Sequence, residues 1–340
     1  MEQAIMIGLD IAKNVFEVHG RNAASEVVLR RSLKRGTMEK VFGKLSPAQI
    51  GLEACGSAHH WGRVLSKLGH DVRLMPAAYV KPYVKRNKSD AIDAAACWEA
   101  MGRPDMRFVP LKTADQQAAL SLHRSRELLV RQRTQLGNAL RALLSEFGIV
   151  AGKGKAGLSH LIEQLRAGTL ELPQDALFSA TILADQHAAA DATAAQLERR
   201  IKAQAKADKT ARMLQTAPTV GPITAHAVRA ALPDPARFKC GRDFAAFLGL
   251  APSNSGTGGK TRTGHITKKG DRTVRRLLVL GATSWVRQVS KRLDKASPWL
   301  RGMLARRPKK VVAVALAART ARILWAMLTH NQPYRAAAVS

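Results

Sequence analysis

Apolar residues come in short runs along the first eighty positions, many alternating with polar or small ones at the two-residue period of strands. Runs at 4–11, 15–19, 26–30, 50–54 and 72–75 predict five strands, and 59–68 predicts a helix stopped by Gly69. Residues 89–101 predict another helix, with Ser89 as a good N-cap and Asp90 and Asp93 in the first turn, where the helix dipole favours negative charge. Strands first, then strands alternating with helices, predict an α/β mixed sheet with flanking helices. Gly102, Pro104 and Pro110 mark a boundary, and the pattern beyond it turns helical. A long helix is expected over 114–147, a glycine and lysine linker over 148–157, and a second long helix over 174–214. Two antiparallel helices or a coiled coil fit these segments. From about 217 the chain reads as compact and helical, interrupted at 251–264, with basic helical patterns at 271–288 and 308–328. The expected division is therefore 1–110, 111–213 and 214–332.

Charge narrows the function. The 340 residues carry 55 Lys plus Arg against 25 Asp plus Glu, a formal charge of +30 and a pI near 11.0. With 46% hydrophobic residues this is a folded protein whose surface suits nucleic acid. Glu2 and Asp10 interrupt the only early apolar stretch, so no signal peptide is expected. The apolar run 311–328 contains Arg319 and Arg322, which predicts a core helix and no membrane partner. Cys55, Cys97 and Cys240 lack paired spacing, which argues against a disulfide framework or structural zinc and fits a reducing cytoplasm.

The chemistry sits in the acids. Asp10 and Glu53 each end an apolar strand, and Asp90 and Asp93, about 300° apart around a helix, share one face. Clustered carboxylates repel unless a cation joins them, and oxygen ligands without a Cys or His cluster suit Mg²⁺, with Mn²⁺ possible. Each acid alone also suits a cap or a solvated strand end; the combination in this order is far more specific.

IGLDIAKNVF, GLEACGS and KSDAIDAAA resemble the Asp-Glu-Asp-Asp motifs of the "IS one-ten" insertion-sequence transposases, whose first domain is RuvC-like (ribonuclease H-type). LQTAPTVGPITAHAV resembles that family's helix-hairpin-helix-like segment, with Gly221 at the turn and Pro222 opening a helix. FAAFLGLAPSNSGTGGKTRTGHITKKGDRTVRRLL resembles its serine-containing segment. The likeness spans nearly the whole chain. It implies a compact helical C-terminal transposase domain, and a recombinase in which Asp10, Glu53, Asp90 and Asp93 hold metal while a hydroxyl forms a covalent phospho-enzyme. It further implies donor and target DNA, a non-coding guide (bridge or seek) RNA, and a homo-oligomer, dimer or tetramer, as partners. Serine being that family's nucleophile, Ser255 is the first choice, Thr257 the reserve and Ser253 third. Lys260, Arg262, Lys268, Lys269, Arg272, Arg275 and Arg276 are the expected nucleic-acid cations, and glycines 256, 258 and 259 let backbone approach a phosphate.

Other readings stay open. A RuvC-like nuclease or junction resolvase using metal and water alone shares the acids, a non-catalytic nucleic-acid binder shares the charge, and an actin-like ATPase shares the strand aspartate. His59, His60 and His265 lack metal spacing, and three tyrosines make a tyrosine recombinase unattractive. Trp61, Trp98, Trp285, Trp299 and Trp325 are expected in cores.

Overall fold

The computed structural model describes residues 4–84, 89–232 and 234–335; Glu2 and Lys88, quoted above, lie outside them. The chain divides into two compact units between Gln116 and Gln117.

The first unit is a mixed sheet between helices. Its elements are β1 (Met6–Ile11), β2 (Val15–Arg21), β3 (Val27–Lys34), α1 (Met38–Phe42), β4 (Gln49–Glu53), α2 (Ala58–Lys67), β5 (Asp71–Met75), α3 (Ala77–Val80) and α4 (Asp90–Met101). Strand order is β3-β2-β1-β4-β5, antiparallel from β3 to β1 and parallel from β1 to β5. Alternation sorts the faces. Ile7, Leu9, Ile50, Leu52 and Leu74 pack with Met38, Phe42, Trp61 and Leu65 from α1 and α2. The opposite face carries Gly8, Asp10, Gly51 and Glu53, and α4 lies across it. The sequence pattern misses α1 and α3, helices of five and four residues, too short to show a helical period.

The second unit is helical apart from one hairpin. α5 (Ala114–Ser145), whose first turn belongs to the first unit, runs antiparallel to α7 (Gln174–Ala207). Arg126 pairs with Glu198 and Arg133 with Asp191, one constant register. The buried positions of α7 are Ala180, Ala184, Ala190, Ala194, Ile201 and Ala205, nearly all alanine, which lets helices approach closely. The expected 148–157 linker instead leads into α6 (Gly154–Arg166), whose Leu158, Leu161, Ile162 and Leu165 close a small core with Leu140 and Leu144. The expected 174–214 helix breaks at Asp208, whose extended backbone and carboxylate, accepting from the Ala211 amide, start α8 (Lys209–Leu214).

Then come α9 (Pro222–Ala231), α10 (Gly241–Phe247), β6 (Pro252–Thr257), β7 (Lys260–Ile266), α11 (Arg272–Val289), α12 (Pro298–Arg306) and α13 (Lys309–His330). α13 is long and apolar enough to cross a membrane by composition. Here Val312, Leu316, Ala317, Ala321 and Leu324 join one core with Val274, Leu278, Ala282 and Val286 of α11. Leu120, Ala205 and Leu214 belong to the same core, so the near ends of the long helices are built into the C-terminal helices. Trp285, expected inside, is 36% exposed on α11.

Candidate functional site

Two copies of one local pattern build the acid site. Gly8-Leu9-Asp10 and Gly51-Leu52-Glu53 sit side by side on parallel β1 and β4, with Gly8 opposite Gly51 and Leu9 opposite Leu52. Asp10 and Glu53 are the next residue on each strand, on the face α4 crosses. The glycines are the reason α4 fits. A Cβ on Gly8 would lie 2.1 Å from the Ala94 carbonyl oxygen and 2.4 Å from the Trp98 amide nitrogen. One on Gly51 would meet the Met101 sulfur at 3.0 Å and the Cys97 carbonyl oxygen at 3.1 Å. The helix answers with the backbone of Ala94, Cys97 and Trp98, so backbone nearly touches backbone.

That contact fixes the N-terminus of α4 over the ends of β1 and β4. Carboxylate oxygens of Asp10, Asp90 and Asp93 come within 4.8 Å of one another, Asp10 and Asp93 half-buried and Asp90 exposed. Ser89 takes the N-cap position with extended backbone, but its side chain makes no cap hydrogen bond; its carbonyl accepts from the Ile92 and Asp93 amides. Glu53 is outside the tight trio, one strand over. Its charge still reaches the same space: burial, then Asp10 and Glu53, push the Cys97 thiol far up, and burial, then the same two acids in the opposite order, raise Cys55. Both thiols stay protonated at neutral pH and supply no thiolate. The donor set is therefore all carboxylate oxygen, which fits a hard divalent cation.

The serine segment is a β-hairpin, a strand pairing the composition of 251–264 conceals. β6 and β7 pair antiparallel, with Ser255 opposite Arg262 and Thr257 opposite Lys260. Gly258 and Gly259 have φ of +56° and +76°, the left-handed pair that a two-residue type I′ turn requires. The turn is thus what uses these glycines. Strand alternation puts Ser255, Thr257, Lys260 and Arg262 on one face, and all four are exposed. Ser253 shares the strand, but its hydroxyl donates to the His265 carbonyl at 3.0 Å.

The hairpin root is closely packed. Gly249 (φ +70°) and Gly270 (φ +93°) pack so closely that a Cβ would meet the Lys269 carbonyl oxygen at 1.9 Å and that of Phe247 at 1.8 Å. Arg275 donates to the carbonyls of Leu248, Lys269 and Gly270 and clamps the crossing. Arg276 is ion-paired with Glu127 of α5, which also accepts from Thr273. Those two expected nucleic-acid cations are engaged inside the unit. Lys268, Lys269 and Arg272 are exposed, and none forms an ion pair among the described residues. Sequence reasoning missed Gly8, Gly51 and the Arg275 clamp; the repeated Gly-Leu-acid was the available signal for the first two.

Acids on adjacent central strands and on the helix crossing them, in this strand order, are compatible with a DEDD-type, RuvC-like nucleic-acid-processing domain. A DEDD transposase model of the IS110 group matches residues 7–149, and a model described as "Transposase IS116/IS110/IS902 family" matches residues 211–297. The chain is 48% identical to a putative transposase, y4pF/y4sB, of Sinorhizobium fredii, over 99% of this chain and 87% of the relative. It is 47% identical to a probable family 20 transposase of Pseudomonas aeruginosa, over 97% and 98% respectively. It is 36% identical to the transposase for insertion sequence element IS1328 of Yersinia enterocolitica, again over 97% and 98%. The chain belongs to the IS116/IS110/IS902 family of insertion-sequence transposases, which implies DNA cleavage and recombination. The DEDD-type domain and the acid trio together mark divalent-metal use.

Proposed function

We propose that this transposase cuts and rejoins DNA strands by phosphoryl transfer to its own hairpin serine, guided by a non-coding RNA of the same element. The observation that carries the reading is the convergence of Asp10, Asp90 and Asp93 within 4.8 Å in a chain of net charge +30. Acid gathered in so basic a protein suits an ion working on a polyanion. Asp10, Glu53, Asp90 and Asp93 hold Mg²⁺, or Mn²⁺ in its place. The bound ion supplies charge stabilisation at the scissile phosphate and the departing oxygen.

The chain's own groups do the rest. The Ser255 oxygen attacks phosphorus, the P–O3′ bond breaks, and the 3′-oxygen leaves with a proton, so the strand stays joined to the protein through a phosphoserine ester. Reversal by a 3′-hydroxyl from another strand reseals DNA without ATP, because the ester retains the phosphodiester energy. Ser255 is preferred over Thr257 because a primary hydroxyl crowds phosphorus less than a β-branched one. Lys260 and Arg262, on the same hairpin face, bind the flanking phosphates, with Lys268, Lys269 and Arg272 along the backbone. Arg275 and Arg276 act through the hairpin's support.

Guide RNA is expected from the family resemblance and suits a protein with few built-in base contacts. Three α5 arginines are engaged internally: Arg126 and Arg133 in ion pairs, and Arg141 on the carbonyls of Gly152 and Gly154. Arg124 and Arg131 are the exposed ones left for RNA phosphates. Exchange of two strands calls for two or more copies of the chain, so a dimer or tetramer is the working unit. The test is strand cutting by Asp10→Asn and Asp93→Asn in Mg²⁺. Loss of cutting with DNA binding retained supports the reading, and cutting at the wild-type rate overturns it.

A further inference from the structure

Sheet register places another carboxylate beside Asp10, outside the tight trio. Glu17 of β2 pairs directly with Asp10 of β1. Directly paired residues of antiparallel strands project from the same face, with Cβ atoms roughly 4.5–5.5 Å apart. One transverse row of that face therefore reads Ser32, Glu17, Asp10 across β3, β2 and β1, and Glu53 follows Leu52, the β4 partner of Leu9. Asp10 thus has a glutamate on each neighbouring strand.

Glu17 is held by a hydrogen bond. The Ser32 hydroxyl opposite it donates to its carboxylate, fixing one oxygen and leaving the other. Glu17 is half-buried, and among the described residues it forms no ion pair, although the chain has 55 lysines and arginines. Carboxylates on one face of adjacent strands can share a cation. No known motif of the chain assigns it that part.

We infer that Glu17 is a fifth carboxylate of the metal centre, a positioning residue oriented by Ser32 that strengthens divalent-ion binding from the β2 side of Asp10. The inference rests on the acid-centre reading above. Its readout is the binding of Mn²⁺ to the full-length protein by titration calorimetry, with thermal melts as a folding control.

Glu17→Gln is expected to weaken Mn²⁺ binding by about 10–100-fold, the range for partners just outside a metal's ligands, with little change in melting. Ser32→Ala keeps every charge, so a smaller loss in the same direction reports orientation; the double variant should bind no more weakly than Glu17→Gln alone. Wild-type Mn²⁺ affinity in Glu17→Gln overturns the inference, as does an unchanged Ser32→Ala beside a weakened Glu17→Gln, which leaves charge alone at work. Asp10→Asn separates the two levels: if it too binds Mn²⁺ normally, the acid centre itself fails, whereas loss there with normal binding in Glu17→Gln sinks only the part given to Glu17.

Discussion

Gly8→Ala tests how the acid site is assembled without touching an acid. The added methyl would start 2.1 Å from the Ala94 carbonyl oxygen and 2.4 Å from the Trp98 amide, both backbone atoms of α4 that no rotamer change can move. Relief to an ordinary contact of ~3.5 Å needs a retreat of α4 by about 1.4 Å at the Ala94 oxygen. Overpacking of this kind costs about 1–3 kcal/mol. The same shift carries Asp90 and Asp93 away from Asp10, and a misplacement of about 1 Å in a catalytic array lowers rate by ~10²-fold. Gly51→Ala is the graded control. Its nearest neighbours are the Met101 sulfur at 3.0 Å, the end of a flexible side chain, and the Cys97 carbonyl oxygen at 3.1 Å, which needs a retreat of only a few tenths of an ångström, about 0.4 Å, so both effects should be smaller. Melting temperature, Mn²⁺ affinity and Mg²⁺-dependent cutting, measured on both variants, give the ranking. Gly8→Ala with wild-type melting and cutting would refute the close-approach reasoning, as would a Gly51→Ala defect equal to it.

The hairpin cations should separate into two kinds. Arg262→Ala should leave melting unchanged and reduce the slope of log affinity against log salt by about 1, one phosphate contact. Arg275→Ala, losing the guanidinium Nη1 that donates to three carbonyls, should lower melting temperature, with weaker DNA binding only as a consequence. The buried pair His123 and His226 predicts acid sensitivity. The rings are 2.9 Å apart between Nε2 and Nδ1, and His226 Nε2 donates to Gln204 at 3.0 Å. Burial, then the neighbouring His226 and Arg126, lower His123 to about 4, and burial lowers His226. The fold therefore prefers the neutral rings. Their contribution is complete above pH ~6.5 and is lost as pH falls from there toward about 4, on the order of 3 kcal/mol for His123. Denaturant melts across that window should show stability rising with pH, and His123→Leu should flatten the slope; a flat wild-type profile would contradict this.

The acid motifs were legible because their period is local. Asp10 and Glu53 end apolar runs, and three residues on a helix fix the relation of Asp90 to Asp93. What the sequence left hidden is set by non-local contacts. Gly8 and Gly51 look like ordinary strand glycines until α4 lies on them, and Glu17 looks like a solvated strand residue until the β1–β2 register puts it beside Asp10. The hairpin escaped because Pro252–Thr257 buries nothing, so no apolar alternation marks it. Only the Gly258-Gly259 pair carried a turn signal. Arg275 and Arg276 are indistinguishable by type from Arg262 and Arg272; their carbonyl and Glu127 partners separate them.

The most direct test of the account is to quench a cleavage reaction in denaturant, digest the protein and locate any nucleotide-bearing peptide by mass spectrometry. The account predicts a phosphodiester-linked peptide from within 252–266 carrying the adduct on Ser255, present with Mg²⁺ and missing in Asp10→Asn. Cutting that proceeds with no adduct, or an adduct mapped outside the hairpin, would contradict it.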